Sequence, residues 1–559
     1  MNFMELCSPN DDISPPVTPP PSCVPTSSSS PSGSGSPNSS HPRPSQRLRS
    51  SSYIDPTFND NPYQLATIFN NSQLDFIRQI KNCFQQLDGQ QRQFFLQEII
   101  GVCDNSQLLF VSNLISPKLK IDFLKALPIE ISLHILGFID NPKTLSRAAC
   151  VSTFWNSLLK DESTWKRLCN RHQFRRRNSS ITGGSLMGPP ARRLNFSYRD
   201  YFKRRYNIES SWAHGGKVKT FYDSSDSGLV TSLQFDDEVI VVGCDNHKIE
   251  VFDVNTGARI RTLEGHEGGV WALQFKGGET FDKERLLVSG GCDRDVRVWN
   301  LTTGRIRHVL RGHTSTVRCL KMKDKKLAVT GSRDMTLRVW DLERGVLKHV
   351  LVGHQASVRC LDIHGDLVVS GSYDSTARVW DMNTGQCLHV LQGHYSQIYA
   401  IAFDGDKIVT GSLDSNIRVW SPTTGQCLAT LHGHTSLVGQ LQMQGSTLVS
   451  GGSDGVLRVW DMDSYECMHR LAAHDNSVTC LQFDDKRMIS GGNDGRVKLW
   501  DIKTGQLIRC FTQPAKTIWR LAFNDTKSVV IMQRMGGQNR DEGKTVMELH
   551  DFDSGEMCE

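Results

Sequence analysis

The sequence predicts an all-β propeller of eight blades that follows an all-α helical region and a disordered N-terminal tail. Two periodic features in the second half of the chain carry this prediction. Histidines that follow a glycine recur at intervals of 41, 40 and 40 residues, and tryptophans recur every 40 residues at the end of similar segments. A repeat of about 40 to 45 residues that opens with Gly-His and closes with Trp-Asp is typical of propeller blades. The repeated residues are His313, His354, His394 and His434, and Trp340, Trp380, Trp420, Trp460 and Trp500.

Weaker copies of the same unit flank the strong ones. The segment VGCDNHKIEVFDVNTG precedes them, and the segments KTIWRLAFNDTKSVVIMQRM and LHDFDSG follow them. Short apolar stretches separated by Gly, Asn and Asp are typical of strands joined by turns. The full series gives eight units, so we assign residues 214–559 to one propeller.

The region before the propeller divides into four segments by composition. Residues 1–60 are rich in Ser and Pro and carry too little apolar surface to offset the entropy of ordering, so we expect a disordered tail. Residues 62–116 and 121–172 place apolar side chains at helical spacing, which predicts two helical segments. Residues 173–213 are predicted to be a basic linker with a helix, and its loop is RRRNSSITGGSLMGPPARR. The spacing in the first helical segment rests on Phe76, Ile80, Phe84, Phe95, Ile99 and Val102.

Charge and hydropathy narrow the classes of partner. The chain has 559 residues and a net charge of +5, which is too weakly basic to indicate a nucleic-acid-binding protein. The N-terminus lacks the basic and then apolar pattern of a signal peptide, and no apolar run approaches the roughly 20 residues that span a bilayer. We therefore expect a soluble protein of the nucleus, the cytoplasm or both, with neither a membrane nor a nucleic acid among its partners.

Cysteine usage indicates a reducing compartment. The 16 cysteines include no Cys-x-x-Cys pair, and Cys387, Cys427 and Cys467 recur at matching positions of consecutive repeats. We interpret these three as small residues of the packed core, and we expect reduced thiols throughout the chain.

The polar residues that recur in almost every repeat are interpreted as a scaffold. The tryptophan, the histidine after glycine and a turn aspartate such as Asp334 are able to hydrogen-bond as one buried unit in each blade. The arginine of each Arg-Val-Trp triplet also recurs, and a residue that is present in nearly every blade does not mark a single binding place. These arginines are Arg297, Arg338, Arg378, Arg418 and Arg458.

Two positions of the repeat vary from blade to blade and are the candidates for recognition. The first variable position lies five residues after the histidine, where the innermost strand is expected to begin near one mouth of the central channel. The second variable position directly precedes the turn aspartate, on a loop at the same mouth. From the second to the seventh unit, the first position is occupied by Trp271, Arg318, Arg359, Tyr399, Gly439 and Thr479, and the second by Cys292, Arg333, Tyr373, Leu413, Ser453 and Asn493.

Arginines occupy these variable positions in two neighbouring units. The sequence therefore predicts that Arg318, Arg333 and Arg359 converge beside aromatic side chains. Clustered guanidinium groups repel one another unless an anion lies between them, and a phosphate ester accepts their bidentate hydrogen bonds. Acidic loops of the same face are the alternative source of neutralising charge. A compact pocket argues against a nucleic acid, whose backbone requires a stripe of cations.

No candidate catalytic or metal site stands apart from the repeats. The Asp and His residues belong to repeat positions, and we find neither a nucleophile beside a base nor an acid–base pair for hydrolysis. We therefore expect a binding protein that is not an enzyme and that uses no metal and no cofactor.

The helical segment at 121–172 carries a second recognisable pattern. This segment contains Leu-Pro-x-Glu, an Ile-Leu pair and later Val and Trp positions, and it resembles an F-box. Its sequence is FLKALPIEISLHILGFIDNPKTLSRAACVSTFWNSLLKDESTWKRL. In F-box proteins the exposed part of this surface docks on the Skp-type adaptor of a cullin-RING ubiquitin ligase, while other apolar positions form a three-helix core. The resemblance implies the docking role for residues near Leu127, Pro128, Ile131, Ile135 and Leu136.

An F-box followed by an eight-bladed WD-repeat propeller resembles the F-box/WD-repeat substrate receptors of SCF ubiquitin ligases, the phosphodegron-reading kind that recognises cyclin E. Four segments carry this resemblance at the predicted pocket, namely GHTSTVRCL, GSRDMTLRVWD, ASVRCL and GSYD. It implies a non-catalytic subunit that binds phosphothreonine-proline degrons and directs regulatory proteins of the cell cycle to ubiquitination and proteasomal degradation. It also implies that Arg318, Arg333 and Arg359 bind the phosphothreonine. The other implied pocket residues are Tyr373, Arg294, Trp271, Ser315, Thr316, Tyr399 and Arg520.

The sequence leaves three points open. The resemblance implies that the helices at 62–116 form a dimerisation segment, whereas packing against the F-box is the alternative. Cys292 stands where the family has a hydroxyl residue, so one hydrogen bond of the pocket is in question. The alternative function is a WD-repeat scaffold that binds unmodified partners outside a ubiquitin ligase. The arginine cluster favours the receptor, because a plain scaffold does not need cations concentrated at one mouth.

Overall fold

The computed structural model describes residues 69–119, 122–174, 197–224, 228–279, 282–511, 515–534 and 544–553. The chain divides into two compact units, Met1–Asp122 and Phe123–Glu559. The tail predicted at 1–60 lies outside the described residues, as does part of the linker predicted at 173–213.

The described part of the first unit is helical. Capping boxes start its first two helices, because the side chains of Asn70 and Asp88 each accept a hydrogen bond from the backbone of the third helical residue. Phe84 packs on Phe95 of the next helix with 5.5 Å between the ring centroids. Neither of these two helices buries a residue, so their apolar side chains face the surface. The helices are α1 (Asn71–Gln86), α2 (Gly89–Val102) and α3 (Asn105–Leu119).

Five short helices open the second unit. They are α4 (Phe123–Ala126), α5 (Ile129–Leu136), α6 (Pro142–Ala149), α7 (Thr153–Leu158) and α8 (Glu162–Arg171). Their apolar faces form one core, which includes Leu124, Leu136, Leu145, Leu158 and Trp165. The buried indole N–H of Trp165 donates to the carbonyl of Leu159 at 2.7 Å, so the core leaves this polar group satisfied. Among the described helices, none combines the length and the hydropathy of a transmembrane segment.

Helix α9 (Tyr198–His214) connects this helical core to the blades. Near its start, Phe202 is buried in the helical core. Near its end, the Trp212 ring stacks on Phe552 with 3.7 Å between centroids, and the Trp212 indole N–H donates to the carbonyl of Asp525 at 3.0 Å. One helix therefore shares two hydrophobic cores, and it fixes the short helices to the propeller.

Eight four-stranded antiparallel sheets form the blades of a propeller. The first strand of each blade contacts the first strands of both neighbouring blades, so these eight strands surround a central channel. The ring is complete because the first strand of blade 8 also contacts that of blade 1. The predicted eight-bladed propeller is confirmed.

Blades 1 to 7 each use four consecutive strands, listed here from the innermost outward. Blades 1 and 2 contain β2 (Val230–Phe235), β3 (Val239–Cys244), β4 (Ile249–Asp253), β5 (Arg259–Leu263), β6 (Val270–Glu279), β7 (Asp282–Gly291), β8 (Val296–Asn300) and β9 (Arg305–Leu310). Blades 3 and 4 contain β10 (Val317–Met322), β11 (Leu327–Ser332), β12 (Leu337–Asp341), β13 (Val346–Leu351), β14 (Val358–His364), β15 (Leu367–Ser372), β16 (Ala377–Asp381) and β17 (Cys387–Leu391). Blades 5 to 7 contain β18 (Ile398–Phe403), β19 (Ile408–Ser412), β20 (Ile417–Trp420), β21 (Cys427–Leu431), β22 (Val438–Gln444), β23 (Thr447–Gly452), β24 (Val456–Asp461), β25 (Cys467–Ala472), β26 (Val478–Phe483), β27 (Arg487–Gly492), β28 (Val497–Asp501) and β29 (Leu507–Cys510).

Blade 8 joins strands from the two ends of the propeller. Its three inner strands are β30 (Thr517–Phe523), β31 (Lys527–Arg534) and β32 (Lys544–Asp551), and its outermost strand is β1 (Lys217–Ser224). Strand β1 runs antiparallel to β32, with Lys217 opposite Asp551. Backbone hydrogen bonds therefore close the ring.

Four side chains form one buried hydrogen-bonded network in each of blades 2 to 7. In blade 3, the two ring nitrogens of His313 each lie 2.8 Å from a partner, one from Asp334 Oδ2 and the other from Thr330 Oγ1. The indole N–H of Trp340 donates to the same Thr330 hydroxyl at 2.8 Å. The predicted unit of Trp, His and Asp is therefore confirmed, and a hydroxyl that the sequence analysis missed completes it. The hydroxyl residues are Ser289, Thr330, Ser370, Thr410, Ser450 and Ser490.

Burial and hydrogen bonds shift the pKa values of several residues in these networks. Burial lowers the pKa of His313 and of His394, and the hydrogen bonds to their aspartates only partly oppose it. Burial alone would raise the pKa of Asp454, but hydrogen bonds from His434 and from backbone N–H groups lower it to about 2. Each network therefore holds one buried carboxylate that accepts hydrogen bonds from several donors.

The interpretation of Cys387, Cys427 and Cys467 as core residues is wrong, because all three are exposed. Each is the first residue of an outermost strand, where no further strand covers the edge. Burial instead raises the pKa of Cys169 and of Cys480 to about 11. Every described cysteine is a free thiol.

Removing one network hydroxyl is expected to destabilise the propeller. In Ser370→Ala, the buried ring of His354 and the indole N–H of Trp380 lose a shared partner, and unsatisfied buried polar groups cost about 1–3 kcal/mol. We expect a lower midpoint of thermal unfolding by scanning fluorimetry. Ser370→Thr is the matched control, because Thr330 and Thr410 fill this position in blades 3 and 5. Equal midpoints for the two variants would contradict the role of the hydroxyl.

Thiol reactivity tests the exposed positions. In a short pulse of iodoacetamide on the native chain, we expect Cys387, Cys427 and Cys467 to be alkylated well before Cys169 and Cys480, because burial suppresses both access and the thiolate form. Peptide mass spectrometry measures the order. Labelling of all five at one rate under native conditions would contradict the burial described above, and labelling after unfolding provides the reference.

Candidate functional site

A β-bulge in the innermost strand presents the first variable position at the channel mouth. In blade 3, Val317 pairs with Ser332 and Cys319 pairs with Gly331, so Arg318 between them has no partner in the ladder. A bulge of this kind bends the strand and re-aims the extra side chain. The same register shift occurs at the start of all eight innermost strands. The bulged residues are Thr231, Trp271, Arg318, Arg359, Tyr399, Gly439, Thr479 and Trp519.

A backbone hydrogen bond brings the second variable position to the same place. The Arg333 N–H donates to the carbonyl of Thr316 at 2.9 Å, and the Tyr373 N–H donates to the carbonyl of Ser357 at 3.0 Å. Each acceptor is the residue directly before an innermost strand. The hydrogen bond therefore holds the loop against the start of that strand. Ser315 supports the same loop, since its carbonyl accepts from the Ser332 hydroxyl at 3.0 Å.

Three of the predicted pocket residues on blades 4 and 5 form one line of contacts. The guanidinium carbon of Arg359 lies 5.9 Å from the centroid of the Tyr399 ring, and the Tyr399 and Tyr373 ring centroids are 5.2 Å apart. Burial and the nearby Tyr373 raise the pKa of Tyr399 to about 12, although Arg359 and Arg318 act in the opposite direction. The phenol of Tyr399 is therefore a neutral group next to cations at physiological pH.

The blade 2 side of the mouth holds the second cation–aromatic pair. The guanidinium carbon of Arg318 lies 4.4 Å from the centroid of the Trp271 ring, which is close for a cation–π contact. The Trp271 indole N–H donates to Cys292 Sγ at 2.9 Å. The sulfur of Cys292 therefore makes a hydrogen bond in the position where the family has a hydroxyl.

Positive charge accumulates at the mouth. Burial lowers the pKa of Arg520, and the charges of Arg359 and Arg318 lower it further. Arg520 also donates from Nε to the carbonyl of Thr231 at 2.8 Å, which ties blade 8 to blade 1. Arg359 Nε is buried and makes no hydrogen bond within the described chain. This arrangement suits an anion that supplies several oxygen acceptors.

The acidic loops of blades 3 and 4 do not supply that anion. The carboxylate of Asp334 accepts hydrogen bonds from the His313 ring and from the Thr314 N–H, at 2.8 and 2.9 Å. The carboxylate of Asp374 is engaged in the same way by the His354 ring. These aspartates serve the buried networks of their own blades, which weakens the alternative in which turn aspartates neutralise the arginine cluster.

Two of the predicted pocket arginines are exposed. Arg333 is exposed on its loop. Arg294 adopts a left-handed backbone conformation with φ of 70° and is also exposed. It lines a polar groove on blade 2 together with Asp295 and Arg311. Arg318, Arg359 and Arg520 are half-buried, whereas Arg333 and Arg294 are exposed.

Blades 1 and 8 contribute mouth residues that the sequence analysis missed. Thr231 and Trp519 occupy the first variable position there, and Asp245 occupies the second in blade 1, where its N–H donates to the carbonyl of Leu229 at 2.9 Å. These blades lack the Gly-His motif from which we counted. In the innermost strands, Val230 and Ile518 match Val317 and align these two blades with the others.

The F-box-like helices present a separate apolar surface. Leu127, Ile131 and Ile135 are exposed by 36%, 48% and 36%, and Pro128 is also exposed. Leu136 differs from the expectation because it is only 1% exposed. It lies on the inner side of α5 and packs in the helical core, so its inclusion in the docking surface is wrong.

Within the residues that the structure describes, no group of three or more His, Cys, Asp or Glu side chains is placed to hold a metal ion. The aspartates and histidines that lie close together are the members of the blade networks.

Two family models match the chain. Residues 124–171 match the F-box-like family, and six segments match the WD domain, G-beta repeat family. Each matched repeat begins near the outermost strand of one blade and ends with the third strand of the next. The six segments are 257–300, 304–341, 345–381, 385–421, 425–461 and 465–501.

Relatives and a solved structure agree with these matches. F-box/WD repeat-containing protein 7 of Drosophila melanogaster is 38% identical over 195 residues, which cover 34% of this chain and 14% of that protein. A protein named probable E3 ubiquitin ligase complex SCF subunit sconB, from Arthroderma benhamiae, is 28% identical over 40% of this chain and 36% of its own length. The crystal structure of the computationally designed Ika8 protein has a TM-score of 0.53 and 35% identity, and covers 60% of this chain and 99% of its own.

The chain spans no more than 36% of the length of these two relatives. The two family matches nevertheless fall on separate parts of the fold, one on the short helices and the other on the blades. The chain joins an F-box-like region to an eight-bladed propeller of G-beta repeats, and in this combination it is similar to F-box/WD-repeat proteins.

Proposed function

We propose that this chain is a substrate-recognition subunit of an SCF-type E3 ubiquitin ligase, and that its propeller binds phosphothreonine-proline degrons of regulatory proteins. The F-box-like match and the relative named as an SCF subunit support the ligase role. In this proposal the chain is not itself catalytic. Its helical region binds a Skp-type adaptor and, through it, cullin and RING subunits, and the substrate held by the propeller is ubiquitinated.

The arginine cluster at the channel mouth carries the phosphate part of the proposal. Arg318, Arg359 and Arg520 lie close enough for the first two to lower the pKa of the third. A dianionic phosphate bound among them offsets this repulsion and accepts paired N–H donors, including those of the exposed Arg333. The Tyr373 and Tyr399 rings border the cluster and offer apolar faces to the proline that follows the phosphothreonine.

The exposed apolar residues of the F-box-like region support the adaptor role. Leu127, Ile131 and Ile135 belong to one continuous stretch of α4, α5 and their connection. Exposed apolar groups that lie together, rather than singly, are typical of protein interaction surfaces.

The first unit supports a further part of the proposal, a homodimer. In α1 to α3, large apolar side chains such as Phe76, Phe94 and Leu109 are exposed by 61%, 65% and 64%. A second copy of the same helices is an occupant that matches this apolar surface, and cyclic symmetry makes such contacts self-complementary.

Phosphopeptide binding tests the pocket. We expect a peptide with an apolar residue, phosphothreonine and proline in succession to bind only in its phosphorylated form. Each charge-assisted hydrogen bond contributes about 1.5–3 kcal/mol, so Arg333→Ala is expected to weaken binding by about tenfold or more. Arg333→Lys is expected to restore little, because lysine lacks the planar fork. Isothermal titration calorimetry measures all three affinities.

Arg305→Ala is the matched control for this experiment. Arg305 is an exposed arginine at the start of the outermost strand β9, away from the innermost strands that surround the channel. We expect its affinity to equal that of the wild type. Equal binding of the phosphorylated and unphosphorylated peptides would favour the alternative of a scaffold for unmodified partners.

Adaptor binding tests the helical surface. In the double variant Leu127→Ala and Pro128→Ala, we expect loss of adaptor in a pull-down, whereas phosphopeptide affinity stays unchanged. The reason is that the proposed adaptor surface lies on the short helices and the proposed phosphate site lies on the blades. Ile260→Ala, an exposed apolar residue of an outermost strand, is the control. Adaptor recovered at the wild-type level from the double variant would place the docking surface elsewhere.

A further inference from the structure

Three side chains at the channel mouth form a series of contacts that runs from a loop of blade 2 to the arginine cluster. The indole N–H of Trp271 donates to Cys292 Sγ at 2.9 Å, and the guanidinium carbon of Arg318 lies 4.4 Å from the centroid of the same ring. Trp271 and Cys292 occupy the two variable positions of blade 2, and Arg318 occupies the first variable position of blade 3. The loop of one blade therefore reaches the arginine of the next blade through one aromatic ring.

The backbone fixes the cysteine end of this series. The Cys292 N–H donates to the carbonyl of Gly269 at 2.9 Å, which holds the loop against the start of strand β6. Gly268 permits the close approach, because a Cβ atom there would lie 2.9 Å from the Cβ of Cys292 and 3.0 Å from the backbone nitrogen of Asp293. The Cys292 sulfur is therefore an acceptor at a fixed place. The equivalent residue carries a side chain in blades 3 to 7, where it is Ser315, Ala356, Ser396, Ser436 and Asn476.

The indole in turn restrains the arginine. Trp271 is the bulged residue between Val270 and Ala272, so the orientation of its ring depends on side-chain contacts such as the hydrogen bond to Cys292. A cation–π contact restrains a guanidinium and leaves its N–H groups able to donate to an anion. A ring that rotates away from Cys292 would no longer hold Arg318 in one orientation. The side chains that bind a ligand are precise only when the residues behind them are held in place.

We propose that Cys292 is a positioning residue of the phosphate site, which accepts the Trp271 N–H and so holds the indole against Arg318. This inference rests on the proposed function. Cys292 acts through Trp271 and does not itself bind the phosphate. The position therefore requires a hydrogen-bond acceptor, which is either the thiol of this chain or the hydroxyl that the family resemblance implies.

Removal of the acceptor tests the positioning role. Cys292→Val and Cys292→Ala both lack an acceptor, and they change the side-chain volume differently. In each variant we expect the Kd of a phosphothreonine-proline peptide to rise about fivefold, as the loss of one hydrogen bond allows. In Cys292→Ser, a hydroxyl oxygen accepts the indole N–H, and we expect a Kd within about twofold of the wild type. Isothermal titration calorimetry of the whole chain in complex with its adaptor measures these values.

A double-mutant cycle assigns the effect to the indole N–H. Trp271→Phe keeps an aromatic ring but removes the donor, so in this background we expect Cys292→Val to change the Kd by less than about twofold. Cys387→Val is the matched control, because Cys387 is an exposed cysteine on the outermost strand of blade 4. We expect its Kd to equal that of the wild type. A role of Cys292 in folding alone would persist in the Trp271→Phe background and would lower the midpoint of thermal unfolding.

The outcomes separate this inference from the proposed function. Wild-type affinity in both Cys292→Val and Cys292→Ala overturns the positioning role and leaves the phosphate site intact. The same conclusion follows if Cys292→Ser loses as much affinity as Cys292→Val, or if the loss persists in the Trp271→Phe background. Equal binding of phosphorylated and unphosphorylated peptides by the wild-type chain overturns the proposed function, and the positioning role falls with it.

Discussion

The buried network of Trp, Ser or Thr, His and Asp is the interaction on which the rest of the propeller depends. Its aspartate accepts hydrogen bonds from two loops at once: Asp334 binds the Thr314 N–H before the innermost strand and the Thr336 N–H after the second strand. The buried hydroxyl of Thr330 and the His313 ring hold that carboxylate in place. One polar unit in the core of each blade therefore sets the geometry of the channel mouth above it.

In blades 2 to 7, a β-bulge of the innermost strand separates the variable residue at the channel mouth from the residues that form the buried network. The bulge that leaves Arg318 or Tyr399 without a ladder partner removes its side chain from the strand's alternation. Glycine at Gly439 and tryptophan at Trp271 occupy equivalent bulges without altering the sheets around them. A repeated scaffold thus presents different side chains at eight equivalent positions around one channel, and the hydroxyls of Thr231 and Thr479 also hydrogen-bond to the neighbouring blade.

Much of this architecture could be predicted from the sequence, and the misses have physical causes. The 40-residue spacing indicated the blades, and the positions of Arg318 and Arg359 followed from it. The hydroxyl of the network was missed because each repeat contains several Ser or Thr residues, and the sequence does not show which of them is buried beside the histidine. The exposure of Cys387 depends on which strand is the outermost, and a repeat alone does not reveal this. Leu136 was assigned to the wrong face because it follows Ile135 on a short helix, and two consecutive apolar residues point to different faces. Only the packed core shows that Leu136 is the buried one.

Closure of the ring by β1 and β32 has a consequence for the order of events during synthesis. The F-box-like helices precede every blade along the chain, so they have left the ribosome while the partner of β1 is still untranslated. Until Asp551 emerges, both ends of the propeller are unpaired sheet edges, and the long separation between β1 and β32 makes their pairing a late step. The F-box-like helices are therefore complete before the ring that surrounds the arginine cluster. Messenger RNA with a premature stop codon in blade 8 would encode a chain that retains the F-box-like helices but has an open ring and an incomplete channel mouth.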